Sequence, residues 1–383
     1  MELNEKLSHL SEVEVEEIIR MYCDKSIKIQ DIINKYKVDV NVSGFKKILP
    51  PVKTDSVCKI CHQNLYKKIE GRDHFTKENY MFCLNCGHNE YIRKRYWEKR
   101  VCECRGCVEI RNKIFEEKRE QIREEYTTDT DIESICFEDM ELSDKIKLIY
   151  ILSHNKYKNY YEISPVPDSE ININYLRRLY EIRAILVSPE SDVSAFPEEN
   201  FPKSFYINKV SYDVNVDFKE ETIEMLKNRK YFVESVDIDI LLRILKIIIY
   251  NDLIEQFKDK LEKRRLELHI SESAKEDLIE LIDEISYTQI LWYCERVAVY
   301  FSDKVITGDM NRKAAKNAVL GNVSKFYRRA QENSWEIKHE EIDTIGELLR
   351  FYIYNILNTN IDILYNVISE ENYYKYESEE YKY

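Results

Sequence analysis

The chain carries two CxxC motifs with 21 residues between them, Cys58-Lys59-Ile60-Cys61 and Cys83-Leu84-Asn85-Cys86. Zinc prefers four soft ligands in a tetrahedron, and two CxxC turns at this kind of spacing supply four thiolates. The sequence therefore predicts one structural zinc ion held by these four cysteines. A thioredoxin-like redox site is disfavoured, because no βαβ pattern surrounds either motif.

A third cysteine group follows, and it consists of Cys102, Cys104 and Cys107. Residues 53–107 thus hold seven of the ten cysteines. Seven thiols are too many for one tetrahedral site and one too few for two, so a histidine would complete a second zinc site. His88 is the preferred candidate because it follows Cys86 by two residues, and His74 and His62 are the alternatives. The thiols can also be divided differently between the two sites.

Two other cofactors fit parts of this pattern. The string from Cys58 to His62 matches the CxxCH haem-attachment motif, but a second CxxC nearby is better explained by zinc. Haem attachment also needs export, and residues 1–17 are acidic and lack the apolar core of a signal peptide. An iron–sulfur cluster suits thiolates as well, and we rank it below zinc.

The composition is that of a folded protein with a strongly charged surface: 44% of the residues are hydrophobic and 34% are charged. The most apolar stretch, residues 238–257, is interrupted by charges and predicts a buried helix rather than a membrane span. We therefore expect a cytoplasmic protein that does not bind membranes. In that compartment the cysteines are expected to be metal ligands or buried thiols, not disulfides.

The charge is distributed unevenly along the chain. The net charge is −13, yet residues 44–123 carry 19 Lys+Arg against 11 Asp+Glu. Basic and aromatic side chains crowd between the second CxxC motif and the third cysteine group, namely Tyr91, Arg93, Lys94, Arg95, Tyr96, Trp97, Lys99 and Arg100. Cations contact phosphates and rings stack on bases, so this stretch is the best candidate for nucleic-acid binding. The alternative is that the rings form the core of a small metal domain and the cations are simply solvated.

The N-terminal residues predict three short helices. Ser11 and Glu14 form a capping-box pattern before the first, and a third helix over 44–49 ends at two prolines. Three short helices with tight connections resemble a helix-turn-helix, in which Lys46 and Lys47 on the third helix would face DNA. A plain three-helix cap that binds no nucleic acid explains the pattern equally well.

The fold class predicted from these patterns is mainly α and multidomain, with a small α+β middle region. The expected parts are a helix-turn-helix-like segment (1–52), a zinc-knuckle module (53–110), a charged helical connector (111–135), a small α+β region that resembles a winged helix (136–221) and a helical C-terminal domain (222–383). Alternating residues over 205–218 predict a strand in an antiparallel or edge position. A helix is expected over 311–331.

The function favoured by these observations is a zinc-stabilised nucleic-acid-binding protein with a regulatory or assembly role, and DNA is the preferred nucleic acid. The acidic helical body would then bind a protein partner. Two alternatives stay open: a zinc-dependent protein–protein adaptor, and a nuclease or component of a host–virus conflict system. No catalytic motif was found, because GxxxxGK[ST], GxGxxG, GxSxG and HExxH are all absent from the sequence.

Overall fold

The computed structural model describes residues 4–69, 71–72, 80–91, 101–127, 132–154, 160–342 and 344–377. It is mainly helical, with 55% helix and 8% strand in small sheets, and this confirms the predicted mainly α class. The contacts divide the chain into two compact units. Unit 1 comprises Met1–Thr127 and Asp192–Ser204, and unit 2 comprises Thr128–Ser191 and Phe205–Tyr383.

Unit 1 begins with three helices, α1 (Glu12–Cys23), α2 (Ile29–Tyr36) and α3 (Phe45–Ile48). The predicted capping box is confirmed, since the Ser11 hydroxyl accepts from the Glu14 N–H and the Glu14 carboxylate accepts from the Ser11 N–H. Apolar faces of the three helices share one buried core, which includes Ile18, Tyr22, Ile32, Ile33, Phe45 and Ile48. Helix α3 has four residues, about one turn, so the helix-turn-helix interpretation stays a prediction.

A four-stranded antiparallel sheet follows, with strand order β1-β2-β3-β4. Its strands are β1 (Val52–Val57), β2 (Asn64–Lys67), β3 (Tyr80–Phe82) and β4 (Asn89–Tyr91). Arg72 ties the sheet region to the helices, because its guanidinium donates to the Tyr22 carbonyl at 2.8 Å and to the Met21 carbonyl at 3.1 Å. These carbonyls lie in the last turn of α1, where no intrahelical donor is available.

Helix α4 (Arg105–Thr127) completes unit 1. Its C-terminal half packs against the segment 192–204: Ile122 is fully buried, Lys118 pairs with Glu198 at 2.5 Å, and the Tyr126 hydroxyl donates to the Pro202 carbonyl at 3.0 Å. Its N-terminal half, from residue 108 to residue 117, is exposed throughout. The helix is therefore held at its two ends, at Cys107 and around Ile122.

The first part of unit 2 mixes helices and short strands: β5 (Ile135–Cys136), α5 (Leu142–Ser153), β6 (Glu162–Ile163), α6 (Glu170–Glu181), β7 (Ile185–Val187), β8 (Tyr212–Val214) and β9 (Val216–Asp217). The long strand predicted over 205–218 is wrong in length, because only its last part pairs. There, β8 lies between β6 and β7 in an antiparallel sheet, and β9 pairs in parallel with β5. The backbone changes sheet at Asn215, which divides the strand in two.

The rest of unit 2 is helical: α7 (Glu220–Lys227), α8 (Tyr231–Ser235), α9 (Ile238–Glu262), α10 (Glu272–Glu284), α11 (Tyr287–Ile306), α12 (Arg312–Ala318), α13 (Gly321–Glu332), α14 (Glu347–Phe351) and α15 (Glu370–Glu377), with a π-helical turn at Tyr352–Ile356. Helix α9 is the buried helix predicted from residues 238–257 and packs against α11. The helix predicted over 311–331 is two helices. Within the described part of the chain, no helix is both long and apolar enough to cross a bilayer.

Candidate metal centres

The two CxxC motifs occupy equivalent positions at the tips of two hairpins. Cys58-Lys59-Ile60-Cys61 joins β1 to β2, and Cys83-Leu84-Asn85-Cys86 joins β3 to β4. In both turns the residue after the second cysteine has a left-handed backbone, with φ of 58° at His62 and 70° at Gly87. This conformation turns the chain back into the outgoing strand, and glycine adopts it without strain at position 87.

These turns bring four thiols together at the end of the sheet. The Sγ atoms of Cys58 and Cys86 are 3.6 Å apart, those of Cys61 and Cys83 are 3.4 Å apart, and all four lie within 4.8 Å of one another. A disulfide needs about 2.05 Å between sulfurs. Tetrahedral Zn–S bonds of about 2.3 Å place sulfurs about 3.8 Å apart. The spacing therefore fits four thiolates around one metal ion, and all ten cysteines are free.

The second group consists of His88, Cys102, Cys104 and Cys107, whose donor atoms also lie within 4.8 Å of one another. The Nδ1 atom of His88 is 3.2 Å from the Cys107 sulfur and 3.9 Å from the Cys104 sulfur. His88 is 1% exposed, its Nδ1 atom faces these sulfurs, and its Nε2 atom has no hydrogen-bond partner. Of the three candidate histidines, His88 is the one placed with the thiols; His62 is exposed and His74 lies outside the described residues.

Burial and hydrogen bonds shift the pKa values of the donors in both groups. Hydrogen bonding to the Gln63 backbone lowers the pKa of Cys61 to about 6, whereas burial raises the pKa of Cys86 to about 12. Burial also raises the pKa of Cys107 to about 12 and lowers the pKa of His88, which keeps the imidazole neutral near pH 7. If either group is to bind metal, its thiols must lose their protons, and thiolates so close together need a positive charge nearby. A divalent metal ion supplies that charge and binds the neutral imidazole as well.

The backbone around the second group contributes contacts that cysteine counting did not predict. The Asn89 N–H donates to the Cys102 sulfur at 3.1 Å, and the Arg111 guanidinium donates to the Cys102 carbonyl at 2.7 Å. Gly106 lies so close to Ile60 that a Cβ atom at position 106 would overlap the Ile60 Cγ2 methyl group. The only sequence signal for this contact is a glycine inside the CxxC of Cys104–Cys107, which allows close approach of another residue.

The predicted nucleic-acid contacts are placed only in part. Lys46 and Lys47 lie on α3, where Lys46 is half-buried and Lys47 is exposed. The basic stretch predicted to contact nucleic acid, comprising Arg93, Lys94, Arg95, Trp97, Lys99 and Arg100, lies outside the described residues. The residues that flank this stretch are described: Tyr91 ends β4, and Cys102 belongs to the second donor group.

Comparison with protein-family models, with curated proteins and with solved structures finds no significant match to this chain. Fold and site together define a mainly helical protein with two neighbouring clusters of metal-ligand type, one of four cysteines and one of three cysteines and a histidine.

Proposed function

We propose that each cluster binds one structural Zn²⁺ ion. The resulting two-zinc module presents the basic stretch of residues 93–100, the basic segment, to nucleic acid, preferably DNA. The observation that carries the zinc part is that eight donors of the described residues divide into two separate groups of four, each within 4.8 Å of one another. Both groups offer four protein ligands, and such a set leaves no coordination position open for water or substrate. The role of the metal is therefore to hold the module in shape.

The identity and ligand set of the metal are tested together by X-ray absorption at the zinc edge of the purified full-length protein. Two sites of Cys₄ and Cys₃His type average about 3.5 sulfur and 0.5 nitrogen ligands per zinc, with Zn–S distances of about 2.3 Å. A His88→Ala variant should lose the nitrogen contribution, and His62→Ala is the matched control. An oxygen-rich shell, or nitrogen that persists without His88, would contradict the assignment.

The nucleic-acid part rests on charge and on the position of the basic segment in the chain. Residues 44–123 carry 19 Lys+Arg against 11 Asp+Glu in a protein of net charge −13, so cations are concentrated in and around the metal module. The basic segment is joined on one side to β4 and on the other to Cys102. A metal ion at the second site therefore fixes both flanks of the segment, and the metal need not touch the nucleic acid itself.

Salt-dependent binding of a short DNA duplex tests this part. If three cations contact phosphates, Arg93→Ala, Lys94→Ala and Arg95→Ala together should reduce the slope of log K against log [salt] by about 2–3, since each phosphate contact contributes about 0.9. A control removes an equal charge from α12 by changing Arg312, Lys313 and Lys316 to alanine. Equal binding by both triple variants would remove the basic segment from the proposal.

A protein–protein adaptor is the second candidate, and the exposed half of α4 favours it. Two apolar side chains there, Ile110 and Ile114, lie one turn apart on the same face of the helix and are each 49% exposed. Exposed apolar patches rimmed by charges mark protein-interaction surfaces. In an adaptor, the double change Ile110→Ser and Ile114→Ser should abolish capture of cellular partners while zinc content and DNA binding stay unchanged. Asn112→Ser on the same helix is the control, and equal capture by both variants would refute this role.

A further inference from the structure

The two donor groups do not have independent scaffolds. His88 lies two residues after Cys86, and its carbonyl accepts the hydrogen bond from the Cys83 N–H at 2.8 Å that closes the second CxxC turn. The same hydrogen bond thus shapes the first site and positions the imidazole of the second. Asn89, the next residue, begins β4 and donates its N–H to the Cys102 sulfur.

A packing contact joins the two groups a second time. Ile60, in the first CxxC turn, packs against the small core of Cys58, Leu65 and Cys83. Gly106, in the third cysteine group, lies directly against the Ile60 side chain. The ordered first turn therefore forms the surface on which the chain carrying Cys104 and Cys107 rests.

The first site is shaped mostly by hydrogen bonds within its own hairpins. The turns of the first site are closed by their own backbone hydrogen bonds: Cys58 N–H to the Gln63 carbonyl at 2.7 Å, His62 N–H to the Cys58 carbonyl at 2.9 Å, and Gly87 N–H to the Cys83 carbonyl at 3.0 Å. These hydrogen bonds use residues of the two hairpins alone. The second site takes its histidine, a hydrogen bond to one of its sulfurs and a packing surface from the first.

We propose that the two sites fill in a fixed order, so that the second site binds its metal only after the first is occupied and loses its metal first. This inference rests on the proposed two-zinc function and adds a regulatory property to it. Cys107 lies in the first turn of α4, and the Arg111 side chain of the same helix donates to the Cys102 carbonyl. The conditional site is thus the metal-dependent anchor of the exposed N-terminal half of α4, and falling metal availability releases this half first.

Zinc content of ligand variants of the full-length protein tests the order. Cys104→Ser should retain about one zinc per chain, because the first site is intact. Cys61→Ser should retain close to none, because the second site has lost its scaffold. One zinc retained by Cys61→Ser, or none retained by Cys104→Ser, would overturn the order. If the wild-type protein binds two zinc ions and one of the variants gives such a result, only the order is refuted. If the wild-type protein binds no zinc, the proposed function itself is refuted.

A second experiment leaves all eight donors in place, so it does not depend on the ligand variants folding. Gly106→Ala places a methyl group against Ile60 and should weaken metal binding at the second site by at least about tenfold, as changes to groups that support metal ligands do, so a chelator should remove that metal faster. The double variant Ile60→Ala/Gly106→Ala removes the overlap. Its second site should therefore lose metal at nearly the same rate as the second site of the single variant Ile60→Ala. Cobalt-loaded protein treated with a chelator provides the readout, because the visible bands of a Cys₄ site and a Cys₃His site differ. If the chelator removes metal from the second site of Gly106→Ala at the wild-type rate, the proposed coupling is contradicted.

Discussion

If the proposed zinc ions hold the cysteine-rich sheet of unit 1 together, their removal should unfold that sheet and leave unit 2 folded. The small core next to the first site contains few fully buried residues, Cys58, Leu65 and Cys83, and its neighbours are only partly buried. Burying the Leu65 side chain contributes about 1.5–3 kcal/mol. Binding of one structural zinc contributes about 10–16 kcal/mol at pH 7, several times as much. Without metal, the apolar contacts cannot offset the conformational entropy of ordering four short strands.

Hydrogen–deuterium exchange measured by mass spectrometry, with and without a strong chelator, provides the assay. Peptides from residues 52–67 and 80–91 should lose their protection in the chelator. Peptides from α9 and α11 should keep theirs, because both candidate metal sites found in the described residues lie in unit 1. Chelator saturated with zinc is the control. Protection of the sheet that persists in protein shown to be free of metal would refute the reasoning, and so would an equal loss of protection in α9.

Three further predictions concern stability and are measured by denaturant unfolding. Burial raises the pKa of Asp144, but the hydrogen bonds and positive charges of Arg178 and Lys147 together outweigh it and hold the pKa below its usual value. The stabilising contribution is therefore present above about pH 4 and is lost as the pH falls through the folded-state pKa. Asp144→Asn should therefore destabilise unit 2 by about 1–3 kcal/mol at pH 7, and the difference from wild type should shrink towards pH 2; a difference independent of pH would contradict this role. Gly346→Ala should destabilise by about 1–3 kcal/mol, because the new Cβ would overlap the Asp252 carboxylate that accepts the Gly346 N–H at 2.6 Å, and a neutral effect would argue against that contact. Ile122→Ala, at a fully buried position of α4, should cost about 2–5 kcal/mol in unit 1, whereas the exposed Ile114→Ala should change stability little.

The candidate metal ligands were predictable because coordination chemistry limits the possibilities. Four-coordinate zinc makes the number of donors decisive, and seven clustered thiols require one histidine to fill two sites. Proximity in sequence then selected His88, and the structure places it 3.2 Å from the Cys107 sulfur. The capping box at Ser11 was predictable for a similar reason, since it depends on residues only three positions apart.

Features that depend on tertiary contacts were not predictable from local patterns. The alternation over 205–218 is real, because Val210, Tyr212 and Val216 are buried. Alternation does not say where a partner strand begins, so it could not show that β8 and β9 join different sheets. The contact of Gly106 with Ile60 joins residues 46 positions apart in the sequence, and a glycine alone does not identify its neighbour. The break between α12 and α13 was likewise missed, since a continuous helical period runs through both.

Elemental analysis of the purified full-length protein tests the central claim most directly. The account predicts close to two zinc ions per chain, and about one in a variant with Cys102, Cys104 and Cys107 changed to serine. About one zinc in the wild-type protein would limit the account to one of its two centres. A folded wild-type protein with no zinc, or one that carries iron in its place, would contradict the claim that zinc stabilises this module.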